Sequence, residues 1–530
     1  MNFDYIIIGA GSAGCVLAHR LTADGRHRVL LLEAGPADTN PWIHVPLGYG
    51  KLFATPGVNW MYQSEPEPEL NGRRVFTPRG KVLGGSSSIN GLVHVRGQRE
   101  DFDEWARLGN AGWSHADVLP YFRRSEDFDG GADECHGAGG PLAVSELPDR
   151  HPLCDAFLDA GRQIGLPRND DFNGPRQEGV GYYHTTSRRG RRSSTAVAYL
   201  RPARRRSNLT VITGALATRI LFEGTRATGV AYRIGDGEHT VRAGREVLLS
   251  GGSFNSPQLL QLSGVGPAEL LKRHGIDVVL DAPGVGEGLQ DHFYVRTVWK
   301  CSEPITINDE LGTLPRRIAA GFRYVLARRG PLTVSAGYAG AFVRTRDDVG
   351  RPDVQFYFIN FSTDRMGTTL HPFPGFTVSM SPLRPESRGS VRIRSADARE
   401  APAIRYNYLS TDGDRRTVVD ALRMVRRLVT APAMKRYVLS EHAPGAAVNT
   451  DDEWLDYART VGGTVYHPTT TCRMGQDPLA VVDERLRVRG LHGLRVVDAS
   501  IMPNVVSGNS NAATIMIAEK GADWILSDAR

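Results

Sequence analysis

Cysteine is scarce in this chain, and long apolar runs are absent from it. The five cysteines among 530 residues are scattered, odd in number and without CxxC spacing. That distribution argues against a zinc site or a disulfide framework and favours a reducing setting. No run approaches the ~18 consecutive apolar residues of a membrane-spanning helix, and a strand pattern that begins almost at the first residue leaves no room for a signal peptide. We therefore expect a cytoplasmic protein with no transmembrane segment and no metal site.

The chain also has only a small excess of positive over negative charge. The net charge is +6, although arginines cluster at 188–192 and 204–206. Neither cluster is interleaved with aromatic residues or belongs to a recognisable binding module, so we expect solvated surfaces and no nucleic-acid partner. The Gly-x-Ser-x-Gly elbow of many hydrolases is absent as well, which argues against hydrolysis. A chain of this length exceeds one hydrophobic core, so at least two domains are expected.

The opening residues carry the clearest pattern that is present. A short β-branched apolar run precedes Gly9, Gly11 and Gly14, a helical pattern follows, and a second apolar run ends in Glu33. This order of strand, glycine turn, helix, strand and acid is typical of a dinucleotide-binding unit, in which the helix start faces a pyrophosphate and the acid bonds ribose hydroxyls. An acid at Glu33 argues against a 2′-phosphorylated cofactor, but it does not separate NAD from FAD.

Two irregular segments follow this unit. Residues 41–69 are rich in proline and aromatic side chains and lack periodicity, which predicts a lid or an interface arm. Residues 80–91 hold adjacent glycines and three serines before an apolar stretch. Such a loop brings backbone amides and hydroxyls close to a ligand, so we expect it to contact phosphate or a heteroaromatic ring.

The hydrophobic patterns of the remaining chain alternate between two types, each typical of a different domain. A second strand–turn–helix unit begins at 247–252, and residues 301–452 contain alternating segments typical of antiparallel strands with one wet face. A strand at 494–498 stops in an acid, and 511–526 is predicted to be a closing helix. Segments of the nucleotide domain therefore lie at both ends and in the middle, which predicts a discontinuous domain with a second one inserted.

With these segments the sequence resembles the glucose–methanol–choline (GMC) family of flavin-dependent oxidoreductases, and most of all its bacterial alcohol, choline and sorbose dehydrogenases. The motifs that carry the resemblance span the chain: Gly80 to Asn90, Gly252 to Gly266, Gly288 to His292, Tyr466 to Gly475, and Gly508 to Asn511. The resemblance implies an α/β plus α+β fold, with a discontinuous Rossmann-like FAD-binding domain and an inserted antiparallel-sheet substrate domain. We expect the FAD-binding domain at 1–158, 208–300 and 460–530, and the substrate domain at 159–207 and 301–459.

The resemblance also implies FAD as the cofactor. Some family members attach FAD through a histidine just before the asparagine that matches Asn90; here that position is Ile89, which has no nucleophile, so non-covalent FAD is predicted. The expected cofactor-binding residues are Gly9, Gly11, Ser12, Ala13, Gly14, Glu33, Ala34, Arg79, Leu83, Gly84, Gly85, Ser86, Asn90, Gly91, Leu92, Val93, Ala217, Gly251, Asp498, Ala499, Asn509, Ala512 and Thr514.

Two residues are predicted to be catalytic. Alcohol oxidation needs a base for the hydroxyl proton, because an alkoxide expels hydride far more readily than an alcohol does. His467 occupies the family position of this base, and imidazole titrates near neutrality. We expect Asn511 to hold the substrate oxygen, its other interpretation being the N-cap of the last helix. We expect Asn509 to shape its loop or contact the flavin, and His292 to have a structural role at a domain junction.

The predicted function is oxidation of a primary or polyol-type alcohol to an aldehyde or ketone by hydride transfer to flavin N5. Electrons would pass to a quinone or another carrier. An oxidase that uses O₂ and releases peroxide shares every motif and stays open, as does a non-redox lyase with idle FAD. Tyr338, Phe342, Phe356 and Phe358 are candidate cavity-lining side chains, with ordinary core as the alternative. A quinone acceptor would add peripheral contact with the inner membrane, while the substrate and the oligomeric state stay open.

Overall fold

The apolar runs of the opening unit form the centre of a seven-stranded sheet. The structure is a computed structural model that describes residues 3–365 and 367–529. In spatial order the strands are Leu209–Thr213, Val29–Glu33, Phe3–Ile8, Gly237–Leu249, Arg226–Ile234 and Ala215–Glu223, and Leu494–Val496 also pairs with Gly237–Leu249. The first four strands and Leu494–Val496 pair in parallel, and the last two add antiparallel pairs. Val29–Glu33 is wholly buried, as expected for a parallel strand covered on both faces.

Helices cover this sheet and bring the two ends of the chain together. The first helix, Ser12–Leu21, packs against the last helix, Ser510–Asp528. Arg20 forms two hydrogen bonds of 2.8 Å with the carboxylate of Glu519 across this contact, and that carboxylate is fully buried. The predicted closing helix at 511–526 is therefore confirmed and is slightly longer at both ends.

A second, antiparallel sheet forms the other half of the molecule. Its strands in order are Val438–Ala443, Phe293–Cys301, Gly375–Pro382, Val354–Ile359, Ala339–Val343 and Gly179–Tyr182, and Gly463–Thr464 also pairs with Phe293–Cys301. The prediction of a wet face is wrong for Val354–Ile359, which is buried along its whole length, as is its neighbour Gly375–Pro382. The reason is that the helix Asp412–Thr430 packs on these strands while Tyr357 lines an internal cavity. In the other predicted segment, Gly389–Arg392, three of the four residues are partly or fully exposed.

The remaining elements are shorter and lie around the two sheets. Further helices are Pro41–His44, Tyr49–Leu52, Arg99–Arg107, His115–Ser125, Pro152–Gln163, Arg201–Ala203, Gly252–Leu262, Ala268–Arg273, Ile307–Glu310, Leu314–Ala327, Pro432–Lys435 and Asp451–Val461. Small sheets pair Tyr62–Gln63 with Phe76–Thr77, Glu126–Phe128 with Leu142–Val144, Ser187–Arg188 with Arg191–Arg192, and Val265–Gly266 with Leu280–Asp281. Gly389–Arg392 joins Glu287–Leu289 and Ala403–Arg405.

The predicted fold class is confirmed, because a mixed parallel sheet is combined with an inserted antiparallel one. Three elements cross the predicted domain boundaries. The helices Pro152–Gln163 and Asp451–Val461 span the boundaries at 158 and 459. The strand Phe293–Cys301 spans the boundary at 300 and belongs to the antiparallel sheet. The five-part division itself stays a prediction. Within residues 3–365 and 367–529, no helix has both the length and the apolar character needed to cross a membrane.

Candidate active site

A large cavity lies at the carboxyl ends of the parallel strands, where open α/β sheets bind their ligands. Its wall includes both predicted catalytic residues, His467 and Asn511. It also includes most of the predicted cofactor residues: Gly9, Gly11, Ser12, Ala13, Glu33, Ala34, Arg79, Gly85, Ser86, Asn90, Gly91, Leu92, Val93, Ala217, Gly251, Asp498, Ala499, Asn509 and Thr514. The structure thus brings together residues that are up to five hundred positions apart in the sequence.

Four predicted cofactor residues do not line the cavity, namely Gly14, Leu83, Gly84 and Ala512. A Cβ atom on Gly14 would lie 1.9 Å from the Gly9 carbonyl oxygen, so this glycine serves the packing of the first helix against the turn. Gly84 has φ of +89°, and its N–H donates to the Ala10 carbonyl at 2.7 Å. Leu83 and Ala512 are buried side chains of the surrounding core. All four support the wall from behind.

The end of the cavity near the glycine turn fits an ADP group. A Cβ atom on Gly11 would have its nearest neighbour 3.9 Å away, so the backbone here borders open space. The Glu33 carboxylate accepts hydrogen bonds from the N–H groups of Ala10 at 2.9 Å and Gly35 at 2.8 Å. Burial raises the pKa of Glu33 to about 7, and the two hydrogen bonds oppose that rise. This buried carboxyl group can accept hydrogen bonds from the ribose hydroxyls of a dinucleotide.

Another part of the cavity wall offers polar donors to a ring system. The Arg79 guanidinium is buried over the ring of Phe254, at 5.4 Å from its centroid. Its Nε and Nη2 atoms have no hydrogen-bond partner among the described residues. A buried donor group without a partner is costly, so a ligand with acceptor atoms fits here. The polar edge of an isoalloxazine supplies such acceptors. Ile89, next to Asn90, also lines the cavity.

His467 is the end of a chain of hydrogen bonds. Asp291 accepts the His467 backbone N–H at 2.7 Å, and the Nδ1 atoms of His467 and His292 are 3.0 Å apart. His292 Nε2 lies 3.0 Å from the Leu383 carbonyl oxygen, which can only accept, so His292 carries its proton on Nε2. His467 must then donate from Nδ1, which leaves a lone pair on Nε2. The Asn509 amide nitrogen, Nδ2, lies 3.1 Å from that Nε2 atom and donates to its lone pair.

Both histidines are held in the neutral form. Burial lowers the pKa of His467 well below its ordinary value of 6.5, and the nearby His292 and Arg79 lower it further. Burial likewise lowers the pKa of His292 to about 4, although its hydrogen bond to Leu383 opposes the shift. A neutral imidazole whose Nε2 can accept a proton is the form that a general base requires.

The structure differs from the prediction for the two asparagines. Asn509, and not Asn511, contacts His467, while Asn511 Oδ1 accepts a hydrogen bond from the Ser12 hydroxyl at 2.7 Å. The last helix begins at Ser510, so its N-cap is Asn509, whose extended backbone leaves the amide free to face the histidine. Asn511 lies inside the first turn, on the side of the first helix. Its interpretation as the N-cap is therefore wrong, whereas its hold on the substrate oxygen stays a prediction, since Asn511 lines the cavity.

The aromatic wall near His467 is formed by side chains other than the four candidates. Tyr338, Phe342, Phe356 and Phe358 are buried core residues and do not line the cavity, so the alternative of ordinary core is confirmed for all four. Tyr357 lines it instead, because side chains of a strand alternate between the two faces of the sheet. Four further aromatic side chains of the wall were not predicted from the sequence, namely Tyr49, Phe53, Trp60 and Tyr294. Tyr466, from the motif Tyr466 to Gly475, lines the wall as well. Tyr49, Phe53 and Trp60 belong to the segment 41–69, whose aromatic content was the available signal.

Tyr466 has a strained backbone beside the base. Its φ is +76°, in the left-handed region that bulky side chains rarely adopt, and its N–H donates to the Thr464 hydroxyl at 2.7 Å. Such strain is found where the surrounding structure fixes a functional residue. Within residues 3–365 and 367–529, no cluster of three or more histidine, cysteine or acidic side chains is suited to a metal ion.

Known proteins are similar to this chain along almost its whole length. Two family models described as GMC oxidoreductase match residues 3–294 and 385–518. An oxygen-dependent choline dehydrogenase of Pectobacterium carotovorum is 46% identical over 530 residues, covering 99% of this chain and 95% of the relative. An alcohol dehydrogenase (acceptor) of Pseudomonas putida is 45% identical, covering 99% and 96%. The crystal structure of pyridoxine 4-oxidase from Mesorbium loti has a TM-score of 0.89 at 33% identity, covering 98% and 99%.

Proposed function

This chain belongs to the GMC oxidoreductase family, an FAD-using family of enzymes that act on CH–OH donors, and we propose that it oxidises an uncharged alcohol to an aldehyde or ketone. The observation that carries the proposal is the hydrogen-bond chain that leaves a lone pair on His467 Nε2, beside the amide of Asn509. A neutral base and a fixed amide donor at one cavity wall are the groups that deprotonation of a hydroxyl requires.

The protein residues divide the work as follows. Bound FAD supplies the hydride acceptor. The substrate hydroxyl replaces the Asn509 N–H as the hydrogen-bond partner of His467 Nε2, and His467 accepts the hydroxyl proton there. The Asn509 amide N–H then donates to the substrate oxygen, which fixes the carbon in position. Asp291 holds the backbone of His467, and His292 fixes its tautomer and ring orientation. The aromatic wall excludes water from the oxygen while its charge develops.

The character of the wall favours an uncharged substrate. The carboxylates among its described residues are Glu33 and Asp498, and both accept hydrogen bonds from backbone N–H groups. Arg79 places a buried positive charge near enough to lower the pKa of His467. A cationic alcohol such as choline would meet this charge without a free carboxylate to balance it. A neutral alcohol with an apolar or aromatic chain has no such cost.

Two features of the cofactor and acceptor complete the proposal. Ile89 offers no nucleophile at the position where a covalent bond would form, which supports non-covalent FAD. The name of the alcohol dehydrogenase (acceptor) supports an acceptor other than O₂, which we propose to be a quinone or another carrier. The name of the oxygen-dependent choline dehydrogenase keeps O₂ as the alternative. A peroxide assay run beside a quinone-dye assay distinguishes this acceptor from O₂.

Replacement of His467 tests the reaction directly. We expect His467→Ala to retain FAD but to slow anaerobic flavin reduction by ~10²–10⁴-fold, the usual contribution of a general base. The measurement is the loss of flavin absorbance after mixing with a panel of primary alcohols, polyols and choline. As the control, acid precipitation should release the flavin from both proteins.

Near-normal bleaching of the flavin in His467→Ala would remove this histidine from the mechanism. Faster bleaching by choline than by every neutral alcohol would contradict the proposed substrate class. Flavin retained on the acid-denatured polypeptide would contradict non-covalent binding. Failure of every alcohol to bleach the wild-type flavin would leave the lyase alternative.

A further inference from the structure

The helix Leu314–Ala327, called the outer helix here, stands out from the rest of the molecule. Ala320 and Tyr324 are the buried residues among its fourteen. The Tyr324 hydroxyl donates to the Gly190 carbonyl at 3.0 Å, and this contact seats the helix on the loop that carries the arginine cluster at 188–192. A helix with so small a buried face leaves most of its surface available for another contact.

The exposed side of the outer helix is apolar. Five of the twelve large apolar side chains that are exposed among the described residues lie on it: Leu314 at 69%, Ile318 at 51%, Phe322 at 64%, Val325 at 63% and Leu326 at 82%. With 3.6 residues per turn these five positions fall within about a third of the helix circumference, opposite Ala320 and Tyr324. A contiguous apolar stripe of this kind marks an interaction surface.

The borders of the stripe are basic. Residues 311–330 contain five arginines and no aspartate or glutamate. Arg316 and Arg317 donate to the backbone carbonyls of Asp309 at 2.8 Å and Leu311 at 2.7 Å, so these contacts do not neutralise their charge. Arg329 pairs with Asp149 at 3.3 Å. Exposed Arg189 and Arg191 add positive charge beside the seat of the helix.

We propose that the outer helix binds the surface of an anionic lipid bilayer. An apolar stripe with arginines on its flanks is the arrangement of helices that lie in the headgroup region, with the stripe among acyl chains and the guanidinium groups on phosphates. Arginine suits this contact because its planar donors match phosphate oxygens. A second copy of the chain fits less well, because two-fold pairing of this surface would bring like charges together.

The position of the helix relates this surface to the cavity. The segments on which it rests continue directly to the cavity wall: Tyr49 follows the contact at His44, and Ala336 follows the end of the helix. Binding at the outer helix would therefore anchor two segments of the chain that continue into the cavity wall. The consequence for electron transfer rests on the proposed function, in which a membrane-dissolved quinone is an acceptor.

Vesicle sedimentation of the FAD-loaded enzyme tests the surface without any alcohol, so its outcome is independent of the proposed reaction. Wild-type enzyme should sediment with phosphatidylcholine vesicles that contain phosphatidylglycerol, and less at high salt or without the anionic lipid. Leu326→Glu should lower the bound fraction about tenfold or more. Leu439→Glu is the matched control, because Leu439 is 69% exposed on the edge strand Val438–Ala443, and it should bind as the wild type does.

The fold is checked by soluble-dye activity, which should be equal in all three proteins because neither leucine lines the cavity. Absence of wild-type binding to the anionic vesicles would overturn the proposal, as would an equal loss in Leu439→Glu. Light scattering without vesicles adds a third outcome: a dimer that Leu326→Glu converts to a monomer would assign the stripe to self-association instead.

Discussion

Asn509 and Asn511 stand two positions apart but serve different parts of the cavity. The amide of Asn509 faces His467, whereas Asn511 accepts from the Ser12 hydroxyl at the start of the first helix. We expect Asn509→Ala to slow flavin reduction by about 10²-fold, the loss typical of one preorganised donor at a reacting oxygen. Asn511→Ala is the matched control and should reduce within a few-fold of the wild-type rate while holding FAD less tightly. Anaerobic stopped-flow and flavin titration measure the two effects.

A greater loss of reduction rate in Asn511→Ala than in Asn509→Ala would show that Asn511, and not Asn509, binds the substrate oxygen. Equal losses in both variants, with FAD released from both, would mean that the turn acts mainly as architecture. The comparison is informative because the two substitutions remove the same amide from the same turn.

The difference between these asparagines shows what the sequence could predict about single residues. His467 could be identified because its triplet is specific and its chemistry is needed. The prediction for Asn511 follows from the family motif and stays a prediction. Which asparagine is the N-cap depends on where the last helix begins, and helix starts are uncertain by one or two residues in a sequence. The contact of His292 with His467 spans 175 positions, and no local pattern reports it.

The glycine turn and first helix act as one element in which each glycine meets a different constraint. A Cβ atom on Gly14 would lie 1.9 Å from the Gly9 carbonyl oxygen, whereas a Cβ on Gly11 would meet only Gly85, at 3.9 Å. We therefore expect Gly14→Ala to destabilise the FAD-free protein by about 1–3 kcal/mol or more, because backbone must shift. Gly11→Ala should leave the FAD-free protein within about 0.5 kcal/mol of the wild type, yet weaken FAD binding.

Thermal unfolding of FAD-stripped proteins and flavin titration separate these effects. Equal unfolding temperatures for Gly14→Ala and wild type would show that the turn relaxes freely. Unchanged FAD affinity in Gly11→Ala would show that the backbone at Gly11 does not approach the cofactor. The two variants add the same methyl group within one turn, so each controls for the other.

The periodicity of the sequence predicted the secondary structure better than it predicted what packs against each element. Alternation along Val354–Ile359 correctly indicates that Phe356 and Phe358 share a face and Tyr357 takes the other. It does not say which face meets the cavity, because that depends on where the helix Asp412–Thr430 packs. Both faces of the strand are covered, so polarity gave no signal. The strand Phe293–Cys301 also depends on a long-range contact, because it joins the antiparallel sheet by pairing with Gly375–Pro382.

At the scale of the whole molecule, the base is assembled by both sheets. His292 immediately precedes the antiparallel strand Phe293–Cys301, and Leu383 follows the antiparallel strand Gly375–Pro382. His467 and Asn509 come from the carboxyl-terminal part of the chain, and Asn509 caps the helix that packs on the first helix. The tautomer of His467 therefore depends on how the two halves meet.

This arrangement predicts an unusual pH dependence for alcohol oxidation. Only neutral His467 can accept a proton, and its folded pKa lies well below 6.5 because it is buried near His292 and Arg79. The rate of anaerobic flavin reduction should therefore stay constant from alkaline pH down through pH 6.5 and fall only in more acidic solution. A decline with its midpoint at or above 6.5 would show that the base is not held neutral by burial.

Replacement of His292 should change this profile in a defined direction. His292→Ala removes the acceptor of the His467 Nδ1 proton and opens space for water, so the pKa of His467 should rise toward its ordinary value. The acidic decline should then move to higher pH, and the plateau rate should fall about tenfold because the tautomer is no longer fixed. His292→Asn, whose side-chain oxygen can accept from Nδ1, should recover part of both effects. His442→Ala, on the distant edge strand Val438–Ala443, is the matched control. A plateau that falls without any shift of the acidic limb would mean that His292 supports packing but does not set the protonation of His467.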